Sequence, residues 1–282
     1  MKIFVTGISG QLGYDVLEES KKRGIDIVGT SSMQLDITDE QAVKNYIMSL
    51  KPDVIIHCAA YTAVDKAEED RDACYNVNVN GTKYLAEAAA KHHAKFVYIS
   101  TDYVFNGQGN QPFKETDKTN PIGYYGETKL QGEQVVQLLL EKYFILRISW
   151  VFGKNGHNFV KTMLRLAESY ETVSVVGDQF GSPTYTVDIA KLLLDMIQTE
   201  KYGIYHASNE GFCSWAQFAK AIYIEAGKAT DVKSISTAEY PTKAKRPSNS
   251  KMDKSKLAIA FTTLPTWQDA LSRYLKELQL HD

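Results

Sequence analysis

A threonine, a tyrosine and a lysine give this chain its clearest chemical signature. The run Ser100-Thr101-Asp102-Tyr103-Val104-Phe105 is followed by Tyr125-Gly126-Glu127-Thr128-Lys129. A helix through the second segment would stack Tyr125 and Lys129 on one face, since residues four apart are helical neighbours. An ammonium beside a phenol favours the phenolate, so the proton leaves more readily. Such a set can move a proton to or from a carbonyl or alcohol oxygen while a hydride moves elsewhere. Tyr-x-x-x-Lys alone is a common coincidence, and its meaning depends on the elements that hold it.

The first of those elements lies at the start of the chain. Gly7-Ile8-Ser9-Gly10-Gln11-Leu12-Gly13 falls where a strand (Ile3 to Val5) would turn into a helix (Leu12 to Arg23). Glycines there allow a tight turn, close backbone approach to a pyrophosphate and close helix packing, and the helix amides then meet the anion. The spacing is GxxGxxG, which resembles the extended short-chain dehydrogenase/reductase pattern. Gly7, Gly10, Gln11, Leu12 and Gly13 are therefore expected to hold a dinucleotide. The next strand (Ile25 to Gly29) ends in Thr30-Ser31-Ser32. An acid at that place would grip a ribose 2'-hydroxyl and repel a 2'-phosphate. Hydroxyl residues admit the phosphate, so Thr30 and Ser31 point to NADPH, with NADH also accepted because no Arg stands there. Asp36 and Ile37 would sit near the adenine. After the strand Val54 to Ile56, the small residues Ala59 and Ala60, with Tyr61 and Thr62, would let the backbone approach the cofactor. His57 reads as a structural histidine at a strand end.

Apolar runs alternate with amphipathic stretches through residue 147, and strands apolar on both faces suit a sheet covered on both sides. The expected fold is α/β: a doubly wound, parallel, Rossmann-like sheet with a smaller C-terminal substrate lobe. The expected organisation is a dinucleotide-binding domain over 1–150 and a mainly substrate-binding lobe over 151–282, with segments returning to the first domain. A net charge of -2 points to neither nucleic acid nor an anionic membrane. No apolar run reaches the roughly 20 residues of a membrane helix. The chain opens directly into a strand without a secretory pattern, and its three cysteines form no CxxC. Both features point to a reducing, cytoplasmic setting.

Further motifs carry a resemblance. Ala59-Ala60-Tyr61-Thr62-Ala63-Val64-Asp65, Asn78-x-x-Gly81, the Ser100 to Phe105 run, Tyr125-Gly126-x-Thr128-Lys129, Arg147-x-x-Trp150 and Arg246-Pro247-x-Asn249-Ser250 join the glycine turn. Together they resemble the dTDP-4-dehydrorhamnose reductase family from residue 1 to about 275. The resemblance implies NADPH-dependent reduction of the C4 keto group of dTDP-4-dehydro-L-rhamnose, the last step of dTDP-rhamnose biosynthesis. It makes Thr101, Tyr125 and Lys129 the catalytic set and implies that Tyr125 and Lys129 also touch the cofactor. Asp102, Tyr103 and Trp150 would contact the sugar. Arg246 would meet the diphosphate as a planar donor fork, with Asn249 beside it. Some family members hold magnesium at a dimer interface through glutamates. Asp15 and Asp188 stand near the corresponding places without a third acid, so the sequence supports no metal site and leaves a homodimer open.

Two other readings share the fold. A nucleotide-sugar epimerase or dehydratase would use the same cofactor; dehydratases carry Asp-Glu after the threonine, whereas Asp102 is followed here by Tyr103. A non-catalytic regulatory subunit of the methionine adenosyltransferase type would show erosion of the catalytic residues, and the set here is complete.

Overall fold

A computed structural model describes residues 1–279, so the last three positions of the 151–282 segment lie outside the described residues. β1 (Ile3–Thr6), β2 (Ile27–Thr30), β3 (Val54–His57), β4 (Lys95–Thr101) and β5 (Tyr143–Ile148) follow the apolar runs of the sequence. All are short, and β1 and β3 are buried at every position. A strand with both faces covered has no reason to alternate polar with apolar residues.

The helices between them cover the two faces. α1 (Gln11–Lys22), α2 (Glu40–Leu50), α3 (Val64–Ala67), α4 (Arg71–Tyr75), α5 (Thr82–Lys91) and α6 (Tyr124–Leu139) alternate with the strands. Asp39 caps α2 by accepting from the Ala42 amide. Between α4 and α5 the chain widens into a π-helical turn, Asn76–Gly81, a feature frequent at functional sites. One core packs β1, β3, β4 and β5 against α2, α5 and α6; the other packs the opposite face of the sheet against α1 and a later helix.

Beyond residue 150 come β6 (Val151–Phe152), α7 (Phe159–Leu166), β7 (Thr172–Val176), β8 (Phe180–Gly181), β9 (Thr184–Tyr185) and α8 (Thr186–Met196). β10 (Gly203–His206), β11 (Cys213–Ser214), α9 (Trp215–Glu225), β12 (Asp231–Ile235), α10 (Ser255–Ala260) and α11 (Trp267–Gln279) complete the described chain. This stretch does not stay in one lobe. β10 pairs in parallel with β5 and forms an edge of the main sheet, whose order is β10-β5-β4-β3-β1-β2. α8 packs along α1. A third core gathers α7, α9 and α11 around Phe152, Phe218 and Tyr274, and this is the smaller lobe.

In that sheet order the chain leaves β1 toward β2 and returns to β3 on the other side. The carboxyl ends of β1 and β3 therefore flank a topological switch point, where doubly wound sheets open a crevice for ligands.

Candidate active site

A cavity of about 840 Å³ opens at that crevice. Its floor is the glycine turn. Gly7 has φ +72°, and a Cβ there would lie 2.6 Å from the Ala59 amide nitrogen, so only glycine lets β1 and β3 close the switch point. A Cβ on Gly13 would collide with the Gly7 carbonyl. Gly13 thus serves the helix–turn contact and does not line the cavity.

Gly7, Gly10, Gln11, Leu12, Thr30, Ser31, Asp36, Ile37 and Ala59 through Thr62 all line this space, as do Thr101, Asp102, Tyr103, Tyr125, Lys129 and Trp150. Where the cavity meets the end of β2, the Ser31 amide donates to Gln34 Oε1 at 2.9 Å and its hydroxyl does so at 3.1 Å. Asp36 takes both the amide and the hydroxyl of Thr38, which fixes its carboxylate beside the loop. The residues fit a dinucleotide: a glycine cradle that a Cβ would fill, amides at the start of α1, and two small alanines opposite.

The chemistry-bearing trio comes from β4 and α6. Thr101 ends β4, and the chain then takes a tight turn over Asp102–Val104 with the Thr101 hydroxyl accepting from the Tyr103 amide. Thr101 donates to Asp102 Oδ1 at 3.0 Å. Burial raises the Asp102 carboxyl to about 6, with the Ser250 and Thr101 hydroxyls pulling the other way. The geometry gives a hydrogen bond to Thr101, while Asp102 Oδ2 is buried without a partner among the described residues.

Tyr125 and Lys129 lie one turn apart on α6, as the spacing predicts, but the pairing differs from expectation. Burial pushes the Tyr125 phenol well up, Asp102 and Tyr103 add to this, and the Thr101 hydroxyl works against it. The Lys129 ammonium is directed elsewhere. It sits 4.0 Å above the Tyr98 ring, and burial lowers it to about 7. The lowering of Tyr125 by Lys129, expected from the sequence, is outweighed by the loss of water around both groups. The edge of Tyr103 meets Tyr125 at 5.7 Å between ring centroids.

The π-helical turn braces this corner. Asn78 accepts from the Tyr61 amide at 2.9 Å and donates to the Thr128 hydroxyl at 3.1 Å, joining the loop after β3 to the helix of Tyr125 and Lys129. His57 is buried between the Thr6 and Thr82 hydroxyls at 2.8 and 3.1 Å, and burial lowers it to about 3. It is a neutral connector.

Two residues expected at the substrate end are placed otherwise. Asn249 is buried and donates to the carbonyl oxygens of Gln111 and Gln108, away from the cavity. Arg246 donates to the Tyr103 hydroxyl at 3.1 Å and to Asp65 at 2.6 Å, and it lines a neighbouring cavity of about 580 Å³. Trp150 does face the main cavity, with φ +48°, a strained conformation for a bulky residue. Sequence reasoning missed the loop opposite the glycine turn. Asn155 donates to the Ser9 carbonyl at 2.7 Å, and Gly156 and His157 join the cavity wall. The only signal in the sequence was a polar stretch ahead of the cap at Asn158.

The acids read as possible metal ligands are engaged within the chain. Thr186 donates to Asp15, whose carboxyl burial raises to about 6. Asp188 takes both guanidinium nitrogens of Arg273 at 2.8 and 2.7 Å and the Asn209 amide at 2.7 Å. Among the described residues no three His, Cys, Asp or Glu side chains converge. The three cysteines are free, and no described helix is long and apolar enough to cross a membrane.

Fold and site together define a short-chain dehydrogenase/reductase architecture, with a nucleotide crevice at the switch point and a Thr–Tyr–Lys set on its wall. The chain belongs to the RmlD substrate binding domain family, whose model matches residues 1–280. A dTDP-4-dehydrorhamnose reductase of Aggregatibacter actinomycetemcomitans is 45% identical over 96% of this chain and 97% of its own. Among solved structures, a dTDP-4-dehydrorhamnose reductase from Clostridium acetobutylicum matches with a TM-score of 0.97 and 42% identity over 99% of this chain and all of that one. A Bacillus anthracis dTDP-4-dehydrorhamnose reductase in complex with NADP matches with a TM-score of 0.95 and 43% identity, covering 98% of this chain and 99% of that chain.

Proposed function

We propose that the protein is an NADPH-dependent reductase of the C4 carbonyl of dTDP-4-dehydro-L-rhamnose, yielding dTDP-L-rhamnose. The observation that carries this reading is the convergence of Thr101, Tyr125 and Lys129 on one crevice with the glycine turn, in a chain of this family. Gly7, Gly10, Gln11 and Leu12 would hold the diphosphate, Thr30 to Ser32 the adenosine ribose, and Ala59 to Thr62 the inner half of the cofactor. Bound there, a reduced nicotinamide supplies the hydride.

The chain's own residues supply the rest. A phenol pushed up by burial stays protonated at neutral pH, so Tyr125 is set to give a proton to the carbonyl oxygen as charge develops on it. Thr101 would orient that oxygen by a hydrogen bond. Lys129 would bring positive charge to the ribose and steady the phenolate that Tyr125 becomes. The stacked indole of Trp150 offers a flat apolar surface to a deoxysugar. Arg246 would leave Asp65 for the substrate diphosphate, a better planar acceptor pair. A reaction that consumes NADPH and a sugar nucleotide belongs in the cytoplasm, and the three free thiols agree with a reducing compartment.

Mixing the protein with dTDP-4-dehydro-L-rhamnose and NADPH should bleach the nicotinamide absorbance band. A Tyr125→Phe variant should lose roughly 10²- to 10⁴-fold in kcat while still binding NADPH. No oxidation by the unaltered protein, or equal rates for both, would overturn the reading.

A further inference from the structure

Directly behind the trio lies a buried charged cluster that the reaction just described does not use. Glu133 is 0% exposed and stands one turn past Lys129 on α6. Ser100 donates to its Oε1 at 2.5 Å, and Arg147 donates to the same oxygen at 2.9 Å and to Oε2 at 2.7 Å. Arg147 is fixed in turn, with its guanidinium carbon 5.0 Å above the Phe105 ring and one nitrogen 3.5 Å from His206 Nε2. Ser100 precedes Thr101 on β4, and Glu133 shares α6 with Tyr125 and Lys129. The cluster therefore fastens the strand that carries one member of the trio to the helix that carries the other two.

A buried ion pair gives little net stability compared with apolar packing, so fastening alone does not account for charge at this place. The groups around Lys129 supply a reason. Besides lying over Tyr98 of β4, it interacts through its charge with Glu133 on its own helix, Cys74 on α4, and His57 and Cys58 at and after the end of β3. Arg147 on β5 and His206 on β10 stand behind Glu133. Burial lowers His57 and His206 to about 3 and pushes Cys58 up to about 12. Burial also raises the Cys74 thiol and takes the Tyr98 phenol well up. Across the neutral range all five are uncharged. Burial draws Lys129 itself down to about 7, and Glu133 is the foremost group opposing that fall.

We propose that Glu133 is a positioning residue: its carboxylate, pinned by Ser100 and Arg147 one helical turn from Lys129, keeps the Lys129 ammonium charged beneath the cavity. The proposal rests on the reductase reading. A neutral Lys129 would neither steady the Tyr125 phenolate nor attract the cofactor ribose, so the pH at which Lys129 loses its proton sets the alkaline limit of the enzyme.

The test is kcat/KM against pH for the full chain with dTDP-4-dehydro-L-rhamnose and NADPH, together with NADPH Kd against pH from nicotinamide fluorescence. Removing the anion lowers Lys129 further, so Glu133→Gln should move the alkaline limb of both profiles to lower pH. A shift of about one unit would cost roughly tenfold more activity above the limb than below it. Glu133→Asp keeps the charge and should leave the limb near its wild-type position, even where rates fall. If Glu133→Gln does not fold, Glu133→Gln/Arg147→Met removes both charges with similar volume and should still move the limb toward acid, by less. Equal losses at every pH for the Gln and Asp variants, or limbs that do not move, would reduce Glu133 to a structural role. If the wild type does not oxidise NADPH with this sugar, the reductase reading fails, while the NADPH-binding profiles still decide the role of Glu133.

Discussion

The indole of Trp150 lies flat on that of Trp215, with ring centroids 3.6 Å apart and 12° between the planes. Phe159 packs against Trp215 at 4.6 Å, so the cavity-facing ring is the outer member of an aromatic stack rooted in the small lobe. The stack, together with Gly181, holds Trp150 at its positive φ: a Cβ on Gly181 would lie 2.7 Å from the indole.

Trp215 should therefore influence substrate binding without touching substrate. Such a stack is worth about 0.5–1.5 kcal/mol, so Trp215→Ala should raise KM for the nucleotide sugar roughly 2- to 10-fold. NADPH Kd should stay unchanged, because the stack does not reach the glycine turn. Steady-state kinetics alongside a fluorescence titration separates the two effects. An equal change in both constants would mean that the whole crevice has loosened.

Gly7 offers a sharper test of the cofactor floor. Its φ of +72° and its approach to Ala59 both exclude a methyl group. Backbone strain of about 1–3 kcal/mol should appear in Gly7→Ala as NADPH binding weakened on the order of 10- to 100-fold. Isothermal titration would measure this directly. Binding unchanged in Gly7→Ala would place the diphosphate elsewhere.

Beyond β2 the cavity is lined by the hydroxyls of Thr30, Ser31 and Ser32, with no arginine among the described lining residues. Ser31 is tied to Gln34, and Ser32 is exposed beside it. NADPH and NADH should then bind within about tenfold of one another, since no charged contact of about 1.5–3 kcal/mol separates them. Ser32→Arg should add such a contact for the 2'-phosphate alone and widen the NADPH preference by roughly tenfold or more. A ratio that Ser32→Arg leaves unmoved would show that the phosphate lies away from this loop.

Asp15 gives a stability test with a defined sign. Burial raises its carboxyl from 3.8 to about 6, so the folded protein holds this proton more tightly than the unfolded chain does. The stabilising effect of that proton is complete below pH 4 and is lost as pH rises through 6. Asp15→Asn keeps an acceptor for Thr186 and removes the buried charge. It should gain about 3 kcal/mol at pH 8 and close to nothing at pH 4. Urea unfolding at both pH values measures the difference, and a gain at pH 4 equal to that at pH 8 would rule out the ionisation as the cause.

How much of this was written in the sequence differs from residue to residue. β1, β3, β4 and β5 were visible because a strand covered on both faces reads as an unbroken apolar run. β10 was not, because only Ile204 and Tyr205 mark it, and its first residue, Gly203, has φ +129°. β12 escaped because Asp231, Lys233 and Ser234 look like loop; the strand exists only by pairing with β7. The spacing of Tyr125 and Lys129 showed that they share a helix face. It could not show that burial would dominate both groups, since desolvation depends on what the rest of the chain stacks around them. Arg246 was recognised as a donor fork, but its present acceptor, Asp65, lies 181 positions away. The site residues nearest the glycine motif were the most legible, because local backbone geometry rather than long-range packing determines their work.

The late arrival of β10 has a bearing on how the protein is made. Residues 1–148 emerge from the ribosome with the backbone edge of β5 unpaired, and its partner follows only after some fifty further residues. An uncovered strand edge is a template for pairing with other chains. At roughly 5–20 residues per second, that exposure lasts several seconds in every round of synthesis. A fragment cut at the nominal domain boundary would carry the same bare edge permanently. The sheet of the first half is finished by sequence that belongs, by position, to the second.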